Sequence, residues 1–207
     1  MRARMFKPLA FAVVGAAAIA SAGCGEYIQD QGRAPVQVVI NSLTASSATG
    51  NGNGTTILQS DVITRVVASD PSSCSILNDP GSVQMSLVLK NPDLPGGPSA
   101  LNSVTITRYR VEYLRTDRQN AVQGVDVPYA WDSGVTITIP AGGSASAGIN
   151  LVRHVAKSEP PLANLRNSAV LLSMVVRVTL YGRDQAGNEV VVSGDIDGTF
   201  GDFGPSC

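Results

Sequence analysis

The run Val104-Thr105-Ile106-Thr107-Arg108-Tyr109-Arg110-Val111-Glu112-Tyr113-Leu114 decides the fold class. β-Branched and aromatic residues dominate it, and its apolar positions follow no helical period, which marks a strand. Alternation puts Val104, Ile106, Arg108, Arg110, Glu112 and Leu114 on one side. Thr105, Thr107, Tyr109, Val111 and Tyr113 fall on the other. Neither side is apolar throughout. A bulge near Arg108, which would exchange the two faces, reconciles the pattern.

Working outward from this strand, further short alternating or β-branched runs lie between clusters of Gly, Pro, Asn, Asp and Ser. The expected strands are Val36–Leu43, Val62–Ser69, Val83–Asn91, Ser103–Thr116, Val135–Ile139, Ser144–Val152, Ala169–Tyr181 and Glu189–Ile196. Such spacing predicts an all-β fold, a sandwich or a barrel of about 7–9 strands with long loops and one short helix. The apolar start of Ala169–Tyr181 marks it as a central strand. The helical turn is expected around Ser158, as a cap, with Pro160 and Pro161 near its start and Leu162 and Leu165 on one face. Ala45–Thr56 and Pro92–Ala100 read as exposed loops. A single domain over 35–207 is long enough to bury about 70% of its unfolded surface.

The N-terminus has a different character. Arg2, Arg4 and Lys7 precede an uncharged, mostly apolar run from Leu9 to Ala22, and Ser21-Ala22-Gly23-Cys24 closes it. This is the pattern of a secretory signal over residues 1–23, shorter than the roughly 18–20 apolar residues of a membrane span. The small residues before Cys24 resemble the bacterial lipobox, in which the thiol is acylated and becomes the first residue of the mature protein. Ser21 departs from that motif, where a larger apolar residue is usual. The competing reading is ordinary cleavage after Ala20 or Ala22, with Cys24 left as a thiol. Lipidation would leave residues 24–34 as a short tether and the membrane as a partner. Gly25 in place of Asp gives no inner-membrane retention signal, which points to the outer membrane.

Removing the signal leaves 12 of the 15 basic residues against 16 acidic ones, so the formal charge moves from −1 to −4. A mildly acidic chain without a basic run argues against a nucleic-acid partner. Arg108, Arg110, Arg115 and Arg118 interleave with Glu112 and Asp117, as suits a solvated strand face. With Cys24 committed to lipid, Cys74 and Cys207 are free to pair in an oxidising compartment. Closing a loop that long is worth about 4–5 kcal/mol in chain-entropy models. Two separate thiols are the alternative, since pairing needs Cα atoms within about 7 Å.

The segment Tyr181-Gly182-Arg183-Asp184-Gln185-Ala186-Gly187-Asn188-Glu189-Val190 supplies a tight turn between two strands. It resembles the closing hairpin of immunoglobulin-like bacterial surface domains. Arg108 to Tyr113, followed by Gly124-Val125-Asp126-Val127-Pro128-Tyr129, is similar to segments of uncharacterised bacterial lipoproteins. The resemblance covers about a third of the chain and implies a fold and an address, with no catalytic residue to carry over.

Chemical motifs are mostly absent. His154 is the sole histidine, which removes a multi-histidine zinc site, and it reads as a rim residue beyond a strand. No Gly-x-Ser-x-Gly occurs, and Gly142-Gly143-Ser144 reads as a turn. Gly50-Asn51-Gly52-Asn53-Gly54 lacks the Lys-Ser/Thr of a phosphate loop. Asp195, Asp197 and Asp202 are weak calcium candidates, as are Asp184, Asn188 and Glu189, but neither set forms a full calcium loop. Tyr129 and Trp131 are possible ligand contacts, able to stack on a sugar ring if exposed. The commoner fate of a lone Trp in a small β-domain is a core or rim plug. Phe200 and Phe203 are expected to anchor the C-terminal tail. No catalytic residue and no cofactor is expected. The leading reading is a binding or structural envelope module with a protein partner, and the alternative is a carbohydrate-binding accessory or hydrolase-associated protein.

Overall fold

The computed structural model describes residues 34–46, 54–67, 69–70, 72–91, 93, 99–117 and 119–204. The expected signal, Cys24, nearly all of the tether, most of both polar loops, Arg118 and Cys207 lie outside them. The described part is all-β, with one short α-helix.

The strand that decides the fold is β6 (Val104–Arg115), a middle strand flanked by β7 (Trp131–Ile139) and β9 (Leu172–Asp184). Val104 and Ile106 are buried before the expected bulge, and Tyr109, Val111 and Tyr113 after it. The pairing register slips against both neighbours between Ile106 and Arg108. One extra residue thus turns Arg108 and Arg110 to solvent and keeps the core face apolar along the whole strand. Gly182 of β9 lies opposite Ile106 at the slip, where an added Cβ would strike the Thr105 carbonyl and the Ile106 backbone. Gly182→Ala is therefore expected to cost about 1–3 kcal/mol by overpacking. A lowered denaturant midpoint at unchanged m-value would register it.

Five strands form one sheet in the order β2 (Ile57–Asp61), β10 (Glu189–Gly201), β9, β6, β7. A second sheet orders β1 (Val36–Ala45), β5 (Asp79–Leu89) and β8 (Ser144–Val152), and β3 (Thr64–Arg65) pairs with β4 (Cys74–Ser75). One sheet curls as a half-barrel. Ladders among the named strands are antiparallel except β2 with β10, which run parallel.

The two larger sheets share one core. Val83, Met85 and Leu87 alternate inward from β5 while Ser82 and Gln84 stay outside, the pattern of an antiparallel sheet wet on one face. Met174, Val176, Val178 and Leu180 do the same from β9. Tyrosines of β6 cross the interior to β8: Tyr113 Oη donates to the Leu151 carbonyl at 2.9 Å, and the Asn150 N–H donates to Tyr109 Oη at 3.1 Å. Burial pushes the Tyr113 phenol well above its usual range, so it remains a donor.

Several expected boundaries move. Val62–Ser69 contracts to the two residues of β3, and β2 was not expected at all. The strand predicted to stop at Ile196 continues to Gly201, because Asp197–Phe200 go on pairing with β9 and Asp197–Gly201 pair on the other side with Ile57–Asp61 of β2. The Val135 strand starts earlier, at Trp131, since residues 131–134 pair with Arg108–Val111. Val170 and Leu171, expected inside a strand, are exposed ahead of β9. The helix α1 (His154–Ser158) ends at Ser158 instead of being capped by it: Ser158 Oγ donates back to the His154 carbonyl. Asn78 provides the N-terminal contact, its Oδ1 accepting from the His154 N–H at 2.6 Å. A 3-10 turn over Leu162–Leu165 then buries both leucines, as their spacing predicts.

Candidate functional site

An open cleft of about 460 Å³ lies at one pole of the five-stranded sheet, where β6 ends and β9 begins. Its lining includes Arg115, Asp117, Asp126, Leu165, Leu172 and Met174. The rim is built by the segment between β6 and β7. There Asp126 Oδ2 accepts the Val122 N–H at 2.9 Å and the Gly124 N–H reaches the Val127 carbonyl at 2.7 Å. Gly124 holds φ +80°, and a Cβ there would collide with the Tyr129 ring and hydroxyl. That turn leaves Val125 66% exposed, and across the cleft Val170 is 61% exposed.

Polar groups on the cleft wall are organised. Arg115 grips Asp117 with two bonds, Nε to Oδ1 at 3.0 Å and Nη2 to Oδ2 at 2.7 Å. Its hydrogen bonds hold the Asp117 carboxyl down at about 2, with the Gln119 N–H assisting. Arg115→Ala should raise the Asp117 pKa part of the way toward the ordinary range near about 4, the Gln119 N–H still holding it down, as read by NMR titration of the carboxyl carbon. The sign follows from linkage: a depressed folded-state pKa stabilises above the unfolded value and loses that contribution as pH falls toward about 2. An unchanged Asp117 titration in the variant would remove this account of the wall.

The residues singled out from sequence do not assemble into one site. Trp131 is buried, taking the core alternative: its ring meets Tyr109 edge-on at 5.6 Å, and the Arg153 guanidinium covers it at 4.5 Å. A stacking platform shared with Tyr129 is thereby corrected, because only Tyr129 is exposed. Asp195 is bonded twice by Arg177 on the outer sheet face, and Asp197 lines a separate outer groove with it. Asp202 instead accepts the Asn167 N–H. Among the described residues no group of three or more His, Cys, Asp or Glu is placed to hold a metal, and Asp202 stands apart from Asp195 and Asp197. In the hairpin, Asp184 accepts from the Ala186 and Asn188 N–H groups and the Asn188 amide, so its carboxylate serves the turn. His154 is exposed beside Asn78. Phe200 is fully buried, whereas Phe203 is 44% exposed, so only the first anchors the tail through the core.

The arginines of β6 face solvent as their alternation implies. Arg108 and Arg110 both bond Asp132, and Arg108 also lies 3.9 Å over the Tyr181 ring. These are exposed cross-strand pairs of small individual worth.

Sequence reading missed a buried ion pair near the same pole. Lys157 of α1 and Asp79 at the start of β5 meet at 2.7 Å, with side chains 0% and 1% exposed. Lys157 Nζ also donates to the Asp61 carbonyl at 2.8 Å. Asp79 Oδ2 and the Ser60 hydroxyl are buried without a well-formed hydrogen bond, although Ser60 lies against the Asp79 carboxyl. Burial raises the Asp79 pKa, opposed by the Lys157 charge. The only available signal was indirect, a lysine in the apolar context Val155-Ala156-Lys157.

No family model matches this chain, and no curated protein matches it. Among solved structures it is similar to a Bordetella pertussis protein described provisionally as ApaA. That likeness has 10% identity, covers 81% of this chain and 94% of the other, and has a TM-score of 0.30. At that level it carries no argument about fold or activity.

Proposed function

We propose that the mature chain is a lipid-anchored envelope protein, an immunoglobulin-like sandwich that binds a protein partner through the cleft and performs no catalysis. The observation that carries this reading is the opposition between cleft and tether. Val36–Val38 at the start of β1 lie beside Glu189–Val191, at the hairpin end of the five-stranded sheet. The cleft lies at the other end, by Leu172. β9 has 13 residues, so the two poles stand roughly 40 Å apart at about 3.3 Å per residue. A domain held at Cys24 would turn its cleft away from the membrane. Exposed Val125 and Val170, around an arginine and two aspartates, suit an amphipathic protein surface.

Cys207 as the partner of Cys74 belongs to the same reading. The tail at Gly204 comes close to Asp61 and Ile63, two residues from Arg65, which pairs with Cys74. Placement in the outer membrane rests on Gly25. A photo-crosslinking residue at Val125 or Val170 in intact cells should trap one partner at fixed stoichiometry, and the same residue at Gln84 should not. Cys24→Ser should lose fatty-acid label and leave the membrane fraction. Glycan binding with no protein adduct from the cleft would replace this reading with the carbohydrate-accessory one, and retained label on Cys24→Ser would remove the anchor.

A further inference from the structure

We infer that Lys157 and Asp79 form an intramolecular isopeptide bond, a covalent modification joining α1 to β5. The two groups meet at 2.7 Å with essentially no solvent access. Each constraint on such a pair favours condensation. Two opposite charges in a dry interior are costly unless every polar atom is satisfied, and here Asp79 Oδ2 and Ser60 Oγ are not. Fixed proximity replaces a bimolecular encounter with an intramolecular one.

The chemistry balances without an oxidant, reductant or co-reactant. One proton passes from Lys157 Nζ to the Asp79 carboxyl across their hydrogen bond, giving a neutral amine and a neutral acid. The nitrogen lone pair then attacks Asp79 Cγ. The C–N bond forms as the C–Oδ1 bond breaks, and Oδ1 departs as water with the transferred proton and a second one from Nζ. An ammonium and a carboxylate become one amide and one water, with no change of oxidation state.

The surroundings fit the product better than the ion pair. The amide N–H keeps the Asp61 carbonyl as its acceptor, where Nζ already donates at 2.8 Å. The remaining oxygen, Oδ2, is the orphaned one, and the Ser60 hydroxyl beside it is a buried donor without a well-formed partner. During attack the same hydroxyl would stabilise the charge developing on Oδ2, in the manner of an oxyanion donor. Burial favours the protonated form of Asp79, the form that reacts.

Tryptic mapping of the reduced and denatured full chain decides the matter. Cleavage after Arg65, Lys90, Arg153, Lys157 and Arg166 would release residues 66–90, 154–157 and 158–166 from an unreacted protein. A modified Lys157 resists trypsin. The expected product is therefore 66–90 joined to 154–166, lighter than the two separate peptides by one water, and tandem fragmentation should place the link at Asp79 and Lys157. Ser60→Ala should slow its appearance in freshly made protein, and Asp79→Ala should abolish it. Quantitative release of free 154–157 from the wild-type chain would overturn the inference, and that outcome needs no variant to fold.

Discussion

Asp79→Ala should remove at least about 3–5 kcal/mol of stability, because it abolishes the crosslink and also strands the Lys157 ammonium in the interior, and stranding one member of a buried pair costs that much by itself. The substitution leaves Lys157 at 0% exposure with the Asp61 carbonyl as its acceptor. Relative to a typical total of about 5–15 kcal/mol, that is a large share. The effect is not simply the worth of the contact. An apolar replacement of both partners, Asp79→Leu with Lys157→Met, should recover the part of the loss that comes from the stranded charge and keep the part that comes from the missing crosslink. Denaturant midpoints of the three proteins at neutral pH give the comparison. A single variant within about 1 kcal/mol of wild type would mean that Lys157 finds water on its own, and that α1 is held by Leu162 and Leu165 instead.

This pair also shows where sequence reading stops. Asp79 stands in Asn78-Asp79-Pro80-Gly81, which reads as turn chemistry, and Lys157 stands amid alanine, serine and proline. Nothing local brings them together: the contact spans 78 positions and depends on β5 and α1 converging at one pole. The cleft has the same origin. Its walls come from the end of β6, the segment before β7, the 3-10 turn and the start of β9, and no sequence window holds them together.

Where pattern is local, it was legible. The exchange of faces in β6 could be read from Arg108 and Arg110 interrupting an otherwise apolar side, and the register slip falls there. Ser144–Val152 was expected with its observed limits, between Gly142 with positive φ and the start of α1 at His154. The positive φ of Gly187 closes the hairpin as its residues imply. The failures share one cause, pairing across sequence distance. β2 turns Leu58 and Ser60 inward and Ile57 outward, a pattern too polar to stand out. Its parallel ladder with β10 creates it, and that ladder together with the one to β9 carries β10 five residues past Ile196.

Trp131→Ala is the second large effect, at about 3–5 kcal/mol for truncating a buried aromatic. The ring is 6% exposed and fills the space among Tyr109, Tyr113 and Arg153. Its removal would open a cavity beside the two tyrosines that bond β6 to β8, and would uncover Arg153, whose Nε is already buried without a partner. Trp131→Phe separates packing from polarity. It keeps an edge-on ring against Tyr109 and surrenders the Nε1 bond to Tyr113 Oη, which at 3.4 Å is long. That substitution should cost only about 1–1.5 kcal/mol. Trp131 is the sole tryptophan, so the wild-type protein should emit in the blue-shifted range of a buried indole and shift red in one step with the loss of tyrosine signal. Red-shifted emission from the folded protein would place the indole in water and restore the stacking platform that burial argues against.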